Sequence, residues 1–284
     1  MDPLTKYLNL IFLVTTMAAI GLKVTFAELI AALTHTHGGL MIRSLLVNII
    51  IAPLLGLLLV KIVPMSPDTA VGILLLAAAP GGLNAIQFTS KTDDALCYAA
   101  SLLFILTLLA ILFSPFIAAL LLPLETPLSL PYGRIFLFLL IYLLLPLVAG
   151  LAVHQWSQQF ANLLSKPLSL CGTIAFVVVV IRVMAQRKEA MAILGRTEVS
   201  VMLGFILALM IIAWLLGGPS KETRRVLATA TSMRNAGLCF ILAANGFPDS
   251  NVIVAVVAFS GLMIPPNMIL MLYSIIRERK SVEA

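Results

Sequence analysis

Charge is what this chain has least of. Asp, Glu, Lys and Arg make up only 11% of its 284 residues, too few to cover the surface of a soluble domain of that length. Cysteine is also scarce. Cys97, Cys171 and Cys239 each lie within or beside an apolar segment and form no CxxC pair, which excludes a disulfide framework or a zinc site. The three histidines, His35, His37 and His154, fall between apolar runs and read as loop residues. His35 and His37 flank one threonine without a carboxylate nearby, a poor metal pattern. No GxSxG, HExxH, phosphate-binding loop or paired intramembrane aspartate occurs, so the chain is read as neither an enzyme nor a metal or cofactor protein. The net charge of +6 is not gathered on a basic helix interleaved with aromatics. Nucleic acid is therefore not an expected partner, and the positive loops are read as orienting spans against an anionic bilayer.

Apolar residues are what the chain has in plenty. They account for 61% of it, and the mean hydropathy is +1.12. Runs of about 18 or more such residues are long enough to cross a bilayer. Nine spans are expected, at roughly 6–24, 39–62, 69–90, 94–122, 134–154, 167–185, 199–217, 222–246 and 250–276. The fold class is thus an all-α integral membrane protein, forming one unit over residues 1–284. The first segment lacks a cleavage site and is kept as a span. Lys23, Lys91, Lys166, Lys221, Arg224, Arg225, Arg277, Arg279 and Lys280 share one side of this arrangement. That side is expected to be cytoplasmic, with the N-terminus outside and the C-terminus inside, in the plasma or inner membrane. Arg182, Arg187, Lys188 and Arg196 then form an outside loop that runs against the rule.

Two spans are broken. In Ala79-Pro80-Gly81-Gly82-Leu83-Asn84-Ala85-Ile86-Gln87-Phe88-Thr89, proline removes a backbone donor and the glycines weaken the helix. Opened backbone at membrane depth lines a cavity or is buried in protein. Asn84, Gln87, Thr89 and freed carbonyls are therefore candidate ligands for a solute or cation. A kinked helix packed through its glycines is the other reading. The second break is a polar island, Ala228 to Gly237, centred on Arg234. An arginine at a span centre costs roughly 2.5–3.5 kcal/mol on insertion scales. It needs an anionic substrate, a carboxylate, or carbonyls of the opposed broken helix. Snorkelling would have to reach about 15 Å to either end of the span. Asn48 lies five residues before Pro53, and Cys97 and Ser101 share one face of the fourth span.

Around the breaks, Gly82-Leu83-Asn84-Ala85 resembles Met233-Arg234-Asn235-Ala236, and Pro115 and Pro265 each follow about 30 residues later. Residues 39–122 and 199–276 would supply three spans each, in opposite topology. Such an inverted repeat with two discontinuous helices is a common build of secondary transporters.

These residues carry a family resemblance. Pro80-Gly81-Gly82, Asn84, Thr89 and Lys91 to Cys97 resemble the first crossover motif of the bile acid:sodium symporter family, and Thr231 to Ala236 resembles the second. Asn48 to Pro53 is similar to a span that carries Gln before its proline, and Gly21 to Phe26 to the opening turn. The resemblance implies a core of spans 2, 3, 4, 7, 8 and 9 (about 39–122 and 199–276) holding the crossing helices. It also implies a panel of spans 1, 5 and 6 (about 6–24 and 134–185), with the family's first helix missing. It implies alternating access to a small organic anion. It places substrate on Asn84, Gln87, Thr89, Arg234, Asn235 and Asn267, and degenerate ion sites on Asn48, Asn84, Cys97, Ser101, Thr231, Ser232 and Arg234.

Departures from the pattern are informative. The first motif is two residues short between Gly82 and Ala95, Leu83 and Cys97 stand where oxygen ligands are usual, and Ala230 stands where the family has Glu. Cysteine is a poor ligand for hard sodium. Losing the carboxylate and gaining Arg234 makes the site more positive by two units, which disfavours sodium. Two other functions fit the same pattern: an oxyanion or metalloid permease, and a non-transporting membrane receptor or scaffold. Oligomeric state is left open by the sequence.

Overall fold

The structure, a computed structural model, describes residues 3–27, 30, 38–81, 93–122, 132–189, 194–247 and 250–282. These residues are helical, with no strand among them. The helices are α1 (Pro3–Gly21), α2 (Gly38–Leu46), α3 (Ala52–Ile62), α4 (Pro67–Ala78), α5 (Asp93–Leu121), α6 (Tyr132–Leu139), α7 (Leu145–Trp156), α8 (Gln158–Gln186), α9 (Arg196–Leu216), α10 (Lys221–Ser232), α11 (Ala236–Gly246), α12 (Val252–Leu262) and α13 (Ile264–Val282). Eight helical runs are long and apolar enough to span a bilayer, and α4 is a shorter apolar helix of 12 residues. The protein is an integral membrane protein.

Two spans are made from helix pairs joined by a wider π turn. Val47–Ile51 joins α2 to α3, and Leu140–Leu144 joins α6 to α7. Each turn is followed at its second residue by a proline, Pro53 or Pro146. A proline ring inside a helix collides with the carbonyl four residues back, and widening the turn relieves the clash.

α1 packs on α7 and α8, with α7 against α8. Backbones nearly touch at the first of these contacts. A Cβ on Gly21 would strike the Leu147 carbonyl oxygen, and one on Gly150 would strike that of Ala18. Glycines allow such approach in lipid, where packing rather than water drives association. α10 and α11 lie at the centre of the remaining contacts. α10 lies against α9, α5 and α13, and α11 lies against α4, α12 and α1. Every residue from Arg225 to Ala243 is buried.

Three expectations are corrected. The sixth span begins at residue 158, not 167, because Ser157 is extended and its hydroxyl caps the Phe160 amide at 3.3 Å. Pro167 therefore lies inside α8 instead of starting it. His154 is in α7 and only 8% exposed, not in a loop, because that helix runs on to Trp156. Arg182, expected in a loop, is also helical, and its Nε donates to Thr5 Oγ1 at 3.2 Å. His35 and His37 lie outside the described residues.

Candidate binding site at the helix breaks

The first break opens where α4 ends. Gly81 has φ +82°, a backbone conformation L side chains rarely adopt. A Cβ there would also press on Leu106 of α5. Pro80 has no N–H, so the Leu76 carbonyl loses its ordinary i+4 donor and turns to Ala79 N at 3.1 Å. The C-terminus of α4 thus presents unsatisfied carbonyls and the negative end of a helix dipole inside the protein.

The second break, Met233–Asn235, lies against it. Asn235 N donates to Ala79 O at 3.1 Å, joining the two breaks directly. Arg234 turns inward and is 1% exposed. Its Nε donates to Leu76 O at 2.9 Å, and its Nη2 to Ala77 O at 2.6 Å and Asn48 O at 3.5 Å. Its Nη1 donates to Asn48 Oδ1 at 3.0 Å. Four of the five guanidinium N–H groups are engaged, and every acceptor is a neutral carbonyl. Cys239 Sγ, one turn into α11, donates to Leu75 O at 3.4 Å. Of the three partners expected for Arg234, Leu76 O and Ala77 O are carbonyls of the opposed broken helix, while the other two acceptors come from Asn48 of the second span.

Asn48 is free to serve because of its π turn. Ala52 N bonds to Val47 O, and the next donor that could reach Asn48 O belongs to Pro53, which has none. The orphaned carbonyl takes the arginine. Asn48 Nδ2 donates to Thr231 Oγ1 at 2.9 Å and to Ser44 O at 3.0 Å, and Ser44 Oγ meets Tyr98 OH at 2.6 Å. Beyond the break, Ser232 Oγ donates to Asn267 Oδ1 at 3.1 Å, and Asn267 Nδ2 to Met263 O at 2.8 Å. Asn235 Oδ1 caps α11 through Leu238 N at 3.0 Å, which leaves Asn235 Nδ2 buried without a partner. Thr229 Oγ1 and Ser101 Oγ are likewise buried and unpartnered. Each such group costs about 1–3 kcal/mol unless a ligand or water meets it.

The structure therefore brings together Asn48, Thr231, Arg234, Ser232, Asn235 and Asn267 from the expected set. Asn84, Gln87 and Thr89 lie outside the described residues, as does the Cys97 side chain. Sequence reasoning expected carbonyls of the opposed broken helix without identifying Leu76 O and Ala77 O, and it missed the Ser44–Tyr98 pair. Pro80, four residues after Leu76, was the available signal for the first of these.

Residues 10–196 match the sodium bile acid symporter family. The chain belongs to that family. Its members are membrane transporters rather than enzymes. The match ends at Arg196, so the break that carries Arg234 lies beyond it. The chain is also similar to the uncharacterized sodium-dependent transporter YocS of Bacillus subtilis (strain 168), with 28% identity over 190 residues. That alignment covers 63% of this chain and 56% of YocS, so the chain spans little over half the length of this curated relative.

Proposed function

We propose that the protein is a secondary transporter of a small organic anion, working by alternating access without sodium coupling. The observation that carries this reading is the union of the two helix breaks by a buried guanidinium. Arg234 supplies a fixed positive charge where relatives of this build would load a cation. Family membership supports transport. The anion preference is supported by the start of α11, where the positive end of a helix dipole adjoins the unpartnered Asn235 Nδ2. Gly237 holds this helix start close to α1, since a Cβ there would meet the Phe12 ring and Leu13. Asn84, Gln87 and Thr89 complete the substrate set in this reading, with Asn267 behind Ser232.

In the same reading, residues 39–122 and 199–276 are inverted repeats forming a moving core. α1, α6, α7 and α8 form a panel, with the N-terminus outside and the C-terminus cytoplasmic. The close fit of α1 to α7 and α8 supports a panel that moves as one body. A thiol-dependent metalloid permease is less well supported, because Cys239 is fully buried and bonded to Leu75 O. The test is uptake of a carboxylate and sulfonate series into proteoliposomes, with sodium or choline outside. Saturable uptake of at least one anion, equal in both media, is expected. Absence of flux across the series, with ligand-induced thermal stabilisation retained, would make the protein a receptor instead.

A further inference from the structure

We infer that Leu76 O, Ala77 O, Asn48 O and Asn48 Oδ1 form a receptor for a planar guanidinium cation, and that Arg234 fills it as a permanently tethered ligand. This deepens the reading above by naming what the crossover binds in place of a loaded ion. The four acceptors come from two elements that are not adjacent in sequence, the π turn of the second span and the C-terminus of α4. Two prolines free two of them. Pro53 has no N–H for Asn48 O, and Pro80 has none for Leu76 O. The α4 end dipole adds negative potential from its own carbonyls.

Shape points to guanidinium rather than to a spherical ion. Three nitrogens of one flat, rigid group each reach a different acceptor: Nε to Leu76 O, Nη1 to Asn48 Oδ1, and Nη2 to Ala77 O and Asn48 O. An ammonium carries three donors on one atom and cannot span this set. The Asn48 amide is itself held in place, because its Nδ2 is spent on Thr231 Oγ1 and Ser44 O. Its Oδ1 must therefore face the cation. Two further bonds brace the same helix end, Cys239 Sγ to Leu75 O and Asn235 N to Ala79 O. Because the ligand is tethered, the core needs no ion-loading step.

The test separates receptor from tether. Arg234→Gly and Arg234→Ala, in the full chain in detergent, empty the cradle without filling it. Free guanidinium chloride at up to about 20 mM, far below denaturing concentrations, is expected to raise the melting temperature of either variant in a saturable way. Sodium, potassium and methylammonium chloride at equal ionic strength are expected not to do so, and the parent protein is expected not to respond to guanidinium. Adding Asn48→Leu to Arg234→Gly removes one acceptor and weakens the half-saturation concentration at least tenfold. Arg234→Lys is expected to melt below the parent despite keeping the charge.

Folded variants that ignore guanidinium, or respond equally to sodium, would overturn the inference. So would variants that yield no folded protein even when guanidinium is supplied during extraction. The readout is melting temperature, so a parent protein that fails to transport leaves this result standing, and failure here leaves transport to be judged by flux.

Discussion

Sodium indifference can be predicted with a magnitude. Asn48 Oδ1 lies 3.0 Å from Arg234 Nη1. A cation held on Asn48 or Thr231 would sit roughly 5 Å from the guanidinium, where two unit charges repel by about 3 kcal/mol at an effective dielectric near 20. That alone weakens binding by roughly 150-fold. Ala230 is 1% exposed beside Thr231 and supplies no compensating carboxylate. The unmodified protein should thus show the same melting curve in sodium and in choline at constant ionic strength. Ala230→Glu combined with Arg234→Gln removes the positive charge and supplies a carboxylate. The double variant should be less stable than the parent in choline, because it buries an unpaired carboxylate. It should recover in a saturable way as sodium is added. Saturable sodium stabilisation of the parent would refute the reasoning. A folded double variant that is indifferent to sodium would refute the electrostatic account of why the ion is excluded.

Three further outcomes are expected. Gly150→Ala forces α1 and α7 apart and should cost at least about 2 kcal/mol, whereas Gly204→Ala, whose Cβ meets nothing within 4 Å, should stabilise α9 by about 0.5–1 kcal/mol; chemical or thermal denaturation of both separates contact from composition. Ser232→Val leaves Asn267 Oδ1 without its donor at 3.1 Å and should cost about 1–3 kcal/mol, while Ser232→Thr keeps the hydroxyl and should cost less on the same melting assay. Asn235→Ala removes the α11 cap, worth about 1 kcal/mol, together with the free Nδ2; transport assays should show a higher KM for the anion, and an unchanged KM would remove Asn235 from the binding set.

The membrane class, most span positions and the second break were legible because apolar runs and their interruptions are written in composition. Arg234 stood out for the same reason, as one charge in a buried stretch. Its partners were harder to read. Backbone carbonyls have no sequence identity, and only the positions of Pro53 and Pro80 hint at which of them lack donors. Pro167 misled the reading of the sixth span, since a proline that often opens a helix here sits within one. His154 misled it as well, because a polar ring near a helix end looks like a loop residue until packing is known. The Ser44–Tyr98 bond joins residues 54 apart, and no local pattern records such a pairing.

Pro53, Pro80 and Arg234 form a compatibility rule rather than three separate features. Each proline strips a donor from the ladder, and the arginine supplies the donors that are missing. Substituting one changes the meaning of the others. Without Arg234, Asn48 O is left without a donor and Leu76 O keeps only the Ala79 amide, and without the prolines the backbone would compete for both acceptors. Effects at these positions should be strongly non-additive in double-mutant cycles. The rule also defines a searchable signature. Asn with Pro five residues on, Leu with Pro four residues on, and Arg at the second break should be gained and lost together among related chains.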